Sequence, residues 1–216
     1  MDVVTAGLVA AFAVLAVANW RAGLGTDHFQ VALTKTSATL VLVAIAGLAG
    51  EMAGDARGAL VVAVVLCLIG DVALLGDSDS RFLAGLSAFA LGHGAYVVTA
   101  LIAGVSWPRL AIAFPFLAVV IAVQTTTKMI PGAHRHGGTP MMIGVTIYSG
   151  IISAMVITAS GASSWVAAAG AMLFAASDTI IGYNRFVKPI PRAQVAIMST
   201  YHVGQLLLIL GLVAAG

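Results

Sequence analysis

Long apolar runs, separated by short polar breaks, organise this chain of 216 residues. A helix rises about 1.5 Å per residue, so roughly 20 mainly apolar residues cross a hydrocarbon core. The runs predict eight such spans, at about residues 3–20, 31–49, 58–76, 82–104, 109–128, 139–160, 164–183 and 192–214. The breaks fall at residues 21–28, 51–57, 76–81, 106–109, 131–138, 161–164 and 183–192, and none is long enough for a soluble domain. Alternating apolar and polar positions are missing, so a β-barrel is not expected. The pattern predicts an all-α polytopic membrane protein: one domain over residues 1–216, folded as a bundle of eight transmembrane helices. Any chemistry must then sit between helices.

Composition sharpens this. The chain is 61% hydrophobic and 8% charged, against about 25% charged in a soluble domain. A net charge of +2 without a basic cluster gives no reason to expect a nucleic-acid partner. The single cysteine, Cys67, excludes an intrachain disulfide and lies one helical turn before Asp71 as a small packing residue. Asp2 stands where a signal peptide would carry positive charge, so the run at 3–20 is expected to stay in the membrane. Arg21, Arg81, Arg135, Arg185, Lys188 and Arg192 fall in the odd-numbered breaks, with Lys128 just before the fifth, and only Arg57 and Arg109 in the even ones. Positive charge favours the cytoplasmic side, which places the odd loops inside and both termini outside.

Two aspartates break the apolar pattern. Asp71 closes the run at 60–70, and Asp178 closes the run at 166–177. A carboxylate inside a spanning helix costs roughly 3 kcal/mol on insertion scales, so two of them ask for a use. Both fall toward the predicted cytoplasmic ends of their helices, where the helix dipole also disfavours negative charge. Lys35, His93, Tyr96, Tyr148, Tyr201 and Gln205 fall in the same half of the bilayer. Lys35 either snorkels to the interface or faces an aspartate or a phosphate. His93, between Gly92 and Gly94, is a packing residue or leaves room for a ligand. Tyr201 and Gln205 share a helix face, as site residues or as interhelical hydrogen-bond partners. Asp71 and Asp178 are 107 residues apart, each at the end of the third span of a half. That spacing allows a parallel four-plus-four repeat.

The chemistry open to these residues is narrow. Two neighbouring carboxylates resist simultaneous ionisation, which sets a neutral acid beside a charged base. A catalytic zinc takes three protein ligands, yet His93 and His202 are the only intramembrane histidines. His134 and His136 are expected in a solvated loop at 131–138. No HExxH, GxSxG or P-loop pattern occurs in a usable context. No metal and no cofactor are expected.

Four fragments carry a resemblance. They are Leu-Cys-Leu-Ile-Gly-Asp71-Val-Ala-Leu-Leu, then Phe82-Leu-Ala-Gly-Leu-Ser-Ala-Phe-Ala-Leu-Gly-His93-Gly-Ala-Tyr96, then Gly170-Ala-Met-Leu-Phe-Ala-Ala-Ser177-Asp178, and Thr200-Tyr201-His-Val-Gly-Gln205-Leu-Leu-Leu. In order and spacing they resemble the YhhN family, whose animal relatives are the TMEM86 lysoplasmalogenases. Lys35 and Tyr148 also match family positions. Thr36 stands where the family usually has proline.

The resemblance implies a bacterial inner-membrane hydrolase that cleaves the vinyl ether of a lysophospholipid, with Asp71 and Asp178 essential. Membrane lipids would surround it. The products would be a fatty aldehyde and a glycerophospho-ethanolamine or -choline. Lys35, His93, Tyr96, Tyr148, Ser177, Tyr201 and Gln205 would bind substrate or support the acids. A vinyl ether hydrolyses by protonation at its β-carbon, so it needs a strong acid, a negative charge near the cation and a base for water. Buried acids with basic partners also make proton relays, so a proton-coupled transporter or flippase is the rival reading.

Overall fold

The computed structural model describes residues 2–111 and 125–216. These residues form seven long α-helices: α1 (Val3–Ala22), α2 (His28–Leu48), α3 (Gly54–Ala73), α4 (Asp79–Ala103), α5 (Ile130–Gly161), α6 (Trp165–Phe186) and α7 (Ala193–Val213). A π-helical turn, Thr125–Met129, leads into α5. Seven described helices are long and apolar enough to cross a membrane. They match seven of the eight expected spans to within a few residues, except at the start of α5. The chain is an all-α polytopic membrane protein. The fifth expected span, 109–128, lies outside the described residues for most of its length.

The expected loop at 131–138 is helical instead. α5 starts at Ile130, takes Pro131 in its first turn, and kinks where Gly137 and Gly138 leave helical geometry. Proline in a first turn loses no hydrogen bond that the helix could have made. His134 and His136 therefore belong to the short helical segment before the kink.

The helix ends are closed by side chains from neighbours. Arg57 of α3 donates to the carbonyls of Ala46 (3.2 Å), Gly47 (3.2 Å), Ala49 (3.0 Å) and Gly50 (2.9 Å) at the end of α2. Arg81 of α4 does the same for α3, reaching Ala73 O at 3.0 Å and Val72 O at 2.9 Å. A cation on these otherwise orphaned carbonyls also suits the helix dipole. Ser106 N donates to Gly161 O at 2.7 Å, whereas Met129 packs with Phe186. Gly161 and Phe186 are at opposite ends of the α5–α6 hairpin. Residues 106 and 129 therefore lie at opposite ends of the bundle.

Glycines set the closest helix pair. A Cβ on Gly170 of α6 would collide with the backbone of Leu208 on α7, and one on Gly211 with Ala167 N. A Cβ on Gly204 would stand 2.7 Å from Phe174 N. Membrane helices use small residues to approach this closely, because burial against another helix gains little over burial in lipid. Large apolar side chains such as Leu40, Leu91 and Ile147 point outward and are exposed. That is the surface a lipid-facing bundle needs.

Candidate active site

Asp71 sits on the buried face of α3 with Cys67 and Gly70, and only 1% of it is exposed. Its Oδ1 lies 3.1 Å from Lys35 Nζ. Its Oδ2 accepts from Thr39 Oγ1 at 2.6 Å and from Tyr201 OH at 2.7 Å. Lys35 and Thr39 are one turn apart on α2, so one helix face supplies both. Lys35 is 8% exposed and turns inward. It does not snorkel. A buried charge pair of this kind is tolerated because further donors satisfy the carboxylate.

Asp178, on α6, is half-buried. Its Oδ2 accepts a short hydrogen bond from Tyr148 OH on α5. No hydrogen bond joins the two carboxylates. Aromatic rings fill the space instead. Tyr201 meets Phe174 edge-on at 5.1 Å between centroids, Phe174 meets His93 at 4.7 Å, and His93 meets Tyr148 at 5.4 Å. Each aspartate thus has its own tyrosine, and the tyrosines are linked through Phe174 and His93.

The other expected residues take different places. His93 is fully buried, and neither ring nitrogen has a hydrogen-bond partner among the described residues. Gln205 donates to Tyr96 OH at 3.4 Å rather than to either carboxylate. Ser177 donates to Ile197 O at 3.1 Å, a tie between α6 and α7. His136 sits 3.2 Å from Asp79, which also pairs with Arg185 at 2.5 Å. His202 accepts from Trp20 Nε1 at 3.0 Å, so α1 holds the imidazole next to Tyr201. Sequence reasoning missed Thr39 and Trp20. The four-residue spacing from Lys35 was the available signal for Thr39.

An apolar cavity opens between α4, α5 and α6, lined by Leu86, Phe89, Val145 and Ile152 with Tyr148 and Asp178. A second recess, more polar in its lining, reaches Lys35 and is bordered by His28, Asp77, Asn184, Arg185 and Gln194 among apolar residues. The arrangement places an acid beside a slot fit for an alkyl chain, and an ion pair beside a slot fit for a polar group.

Comparison with known proteins identifies the family. The YhhN family model matches residues 30–212. Human lysoplasmalogenase TMEM86B is 30% identical over 156 residues, covering 68% of this chain and 60% of the human protein. Mouse lysoplasmalogenase TMEM86B is 31% identical over 155 residues, with the same shares of 68% and 60%. The lysoplasmalogenase of Mycobacterium tuberculosis (strain CDC 1551 / Oshkosh) is 33% identical over 195 residues, 86% of this chain and 72% of that protein. The chain therefore spans about 60% of the length of the human and mouse relatives. No solved structure matches it. The family match runs through Lys35, Asp71, Tyr148, Asp178 and Tyr201, the residues that converge in the bundle, and the chain belongs to the YhhN family.

Proposed function

We propose that the protein hydrolyses the vinyl ether bond of a lysoplasmalogen-type lipid by acid–base catalysis with Asp71 and Asp178. The products are a fatty aldehyde and a glycerophospho-ethanolamine or -choline. One observation carries this: two carboxylates, each bonded to a tyrosine, stand beside an apolar cavity and a polar recess in the same bundle. The relatives' names supply the bond class. A vinyl ether is cleaved once its β-carbon is protonated and water captures the oxocarbenium ion as a hemiacetal. Carboxylates serve as acid, counter-charge and base for that sequence. Lys35 balances Asp71 or faces the phosphate, and His93, Tyr148, Tyr201 and Gln205 orient the acids or water.

The test is aldehyde release from a lysoplasmalogen by purified protein in detergent. Run in heavy water, the reaction is expected to place one deuterium on the aldehyde's α-carbon. An ester hydrolase attacks a carbonyl and leaves that carbon untouched. A transporter would need a sealed membrane and release no aldehyde, so absence of turnover in detergent would reject the hydrolase.

A further inference from the structure

The two spaces at the site share a wall. Leu74, Phe82 and Ile181 border both the apolar cavity and the polar recess. Leu74 comes three residues after Asp71, and Ile181 three after Asp178. The wall is thus built one turn beyond each acid, on the same two helical segments. Phe82, from the first turn of α4, is its third side. Leu74 is pressed onto α4 where Gly85 leaves room: a Cβ there would stand 2.7 Å from the Leu74 side chain.

The acids relate differently to this wall: one lines a space directly, and Asp71 is buried behind Lys35. Asp178 lines the apolar cavity. Lys35, which carries Asp71, lines the polar recess. Their partners differ too. Asp71 receives an ammonium and two hydroxyls, a set of donors that serves an anion. Asp178 receives one hydroxyl, on Oδ2, and no hydrogen bond from a described residue engages Oδ1.

A lysoplasmalogen has a matching asymmetry. The β-carbon to be protonated is the second carbon of the tail, one beyond the oxygen-bearing carbon. The oxygen to be released belongs to the glycerol and its headgroup.

We propose that the two acids divide the reaction at this wall, Asp178 donating the proton to the tail carbon and Asp71 serving water and the glycerol oxygen. Leu74, Phe82 and Ile181 then seat the bond between the chambers. The proposal rests on the vinyl ether reading above. Asp178 Oδ1–H transfers its proton to the β-carbon, and the C=C electron pair forms the new C–H bond. The resulting Asp178 carboxylate faces the oxocarbenium ion. Water adds to the cationic carbon and gives its proton to Asp71. The hemiacetal O–H then returns a proton to Asp178 as the carbonyl forms. The C–O bond to glycerol breaks, and the leaving oxygen takes the proton from Asp71. Both residues end as they began, and one water is consumed.

Two probes on the purified full chain test this. The first is a saturated ether lysophosphoethanolamine with a diazirine midway along its alkyl chain, photolysed on the protein and mapped by mass spectrometry. Adducts are expected on cavity residues such as Val145 and Ile152. Adducts at Asn184 or Gln194 would overturn the assignment of the chambers, whether or not the protein turns over a vinyl ether.

The second probe is a vinyl ether lysolipid methylated on its oxygen-bearing carbon. The methyl group stabilises the cation, so a weaker acid suffices for protonation. Asp178→Asn is expected to lose about 100- to 10,000-fold on the plain substrate, the usual weight of a general acid. On the methylated one it should recover about tenfold relative to wild type, 1.4 kcal/mol of barrier. Asp71→Asn should lose activity on both alike. Rescue of Asp71→Asn instead, or equal rescue of both, overturns the division. If Asp178→Asn does not fold, Asp178→Glu, which keeps a displaced acid, is expected to show the same selective rescue. If the wild type cleaves neither lipid, the vinyl ether reading fails and with it the division of roles, while the photolabel still decides the chambers.

Discussion

Lys35 and Asp71 illustrate how a costly residue becomes legible. A charge in an apolar run stands out because water is the only cheap alternative to a partner. Two charges of opposite sign on neighbouring spans therefore point to each other, and the structure brings them to 3.1 Å. Removing one member leaves the other buried and unpaired, which costs about 3–5 kcal/mol. Lys35→Met is accordingly expected to lower the thermal midpoint of the detergent-purified protein. The double variant Lys35→Met, Asp71→Leu should regain most of the loss, although it would be inactive under the proposed mechanism. Thr39 was not legible for an equally physical reason. A threonine in a spanning helix usually bonds its own backbone, as Thr99 does to Ala95 O and Thr146 to Met142 O. Thr39 likewise approaches Lys35 O at 3.3 Å, and only its four-residue spacing from Lys35 separates it from these, yet its hydroxyl reaches Asp71. A hydrogen bond to a charged group is worth about 1.5–3 kcal/mol. Thr39→Val is expected to cut aldehyde release by about tenfold or more, and Thr146→Val to leave it unchanged.

At the scale of elements, hydrophobic runs located helices well and their breaks less well. Seven of the expected spans appear as helices because in lipid every backbone group must bond within its own segment. The start of α5 was misread because Pro131, two histidines, Arg135 and two glycines look like punctuation. Proline at a first turn ends nothing, whereas the glycine pair does break helical geometry, so the expected start at 139 marks the helix after the kink and only the turn before it was missed. Pro140 follows the bend and has no N–H to lose there. The α6–α7 contact was hidden differently. Glycines are common in spanning helices, so Gly170, Gly204 and Gly211 announce no partner until the two backbones are seen touching. Gly170→Leu and Gly211→Val are expected to force α6 from α7 and destabilise the protein by about 1–3 kcal/mol or more. A control at Gly150, where a Cβ meets nothing within 4 Å, should leave the thermal midpoint in place. Because α6 carries Asp178 and α7 carries Tyr201, the first two variants should also lose activity before they lose solubility.

At the scale of the whole molecule, the end of the bundle that faces the cytoplasm decides which leaflet the polar recess serves. Its mouth residues His28, Asp77, Asn184, Arg185 and Gln194 sit at the ends of α2, α3, α4, α6 and α7 that the basic residues mark as cytoplasmic. Arg81, Arg185 and Lys188 lie at that end, and Arg57 and Arg109 at the other, where Arg109 holds Ala162 O at 2.7 Å. Local charge thus predicts that the recess draws its ligand from the inner leaflet. Cysteine labelling decides it. Lys188 is exposed in the link between α6 and α7, and Asp55 is exposed at the start of α3 at the opposite end. In a Cys67→Ala background, Asp55→Cys is expected to react with a membrane-impermeant maleimide on intact cells. Lys188→Cys is expected to react only after permeabilisation. The reversed pattern would put the recess, Lys35 and the glycerol-side chemistry on the outer face. The catalytic proposal would survive that result, because bond cleavage depends on the bundle and not on its sense in the membrane. The source of the substrate would not: a lipid would then have to reach the site from the outer leaflet, and its headgroup product would be released outside the cell.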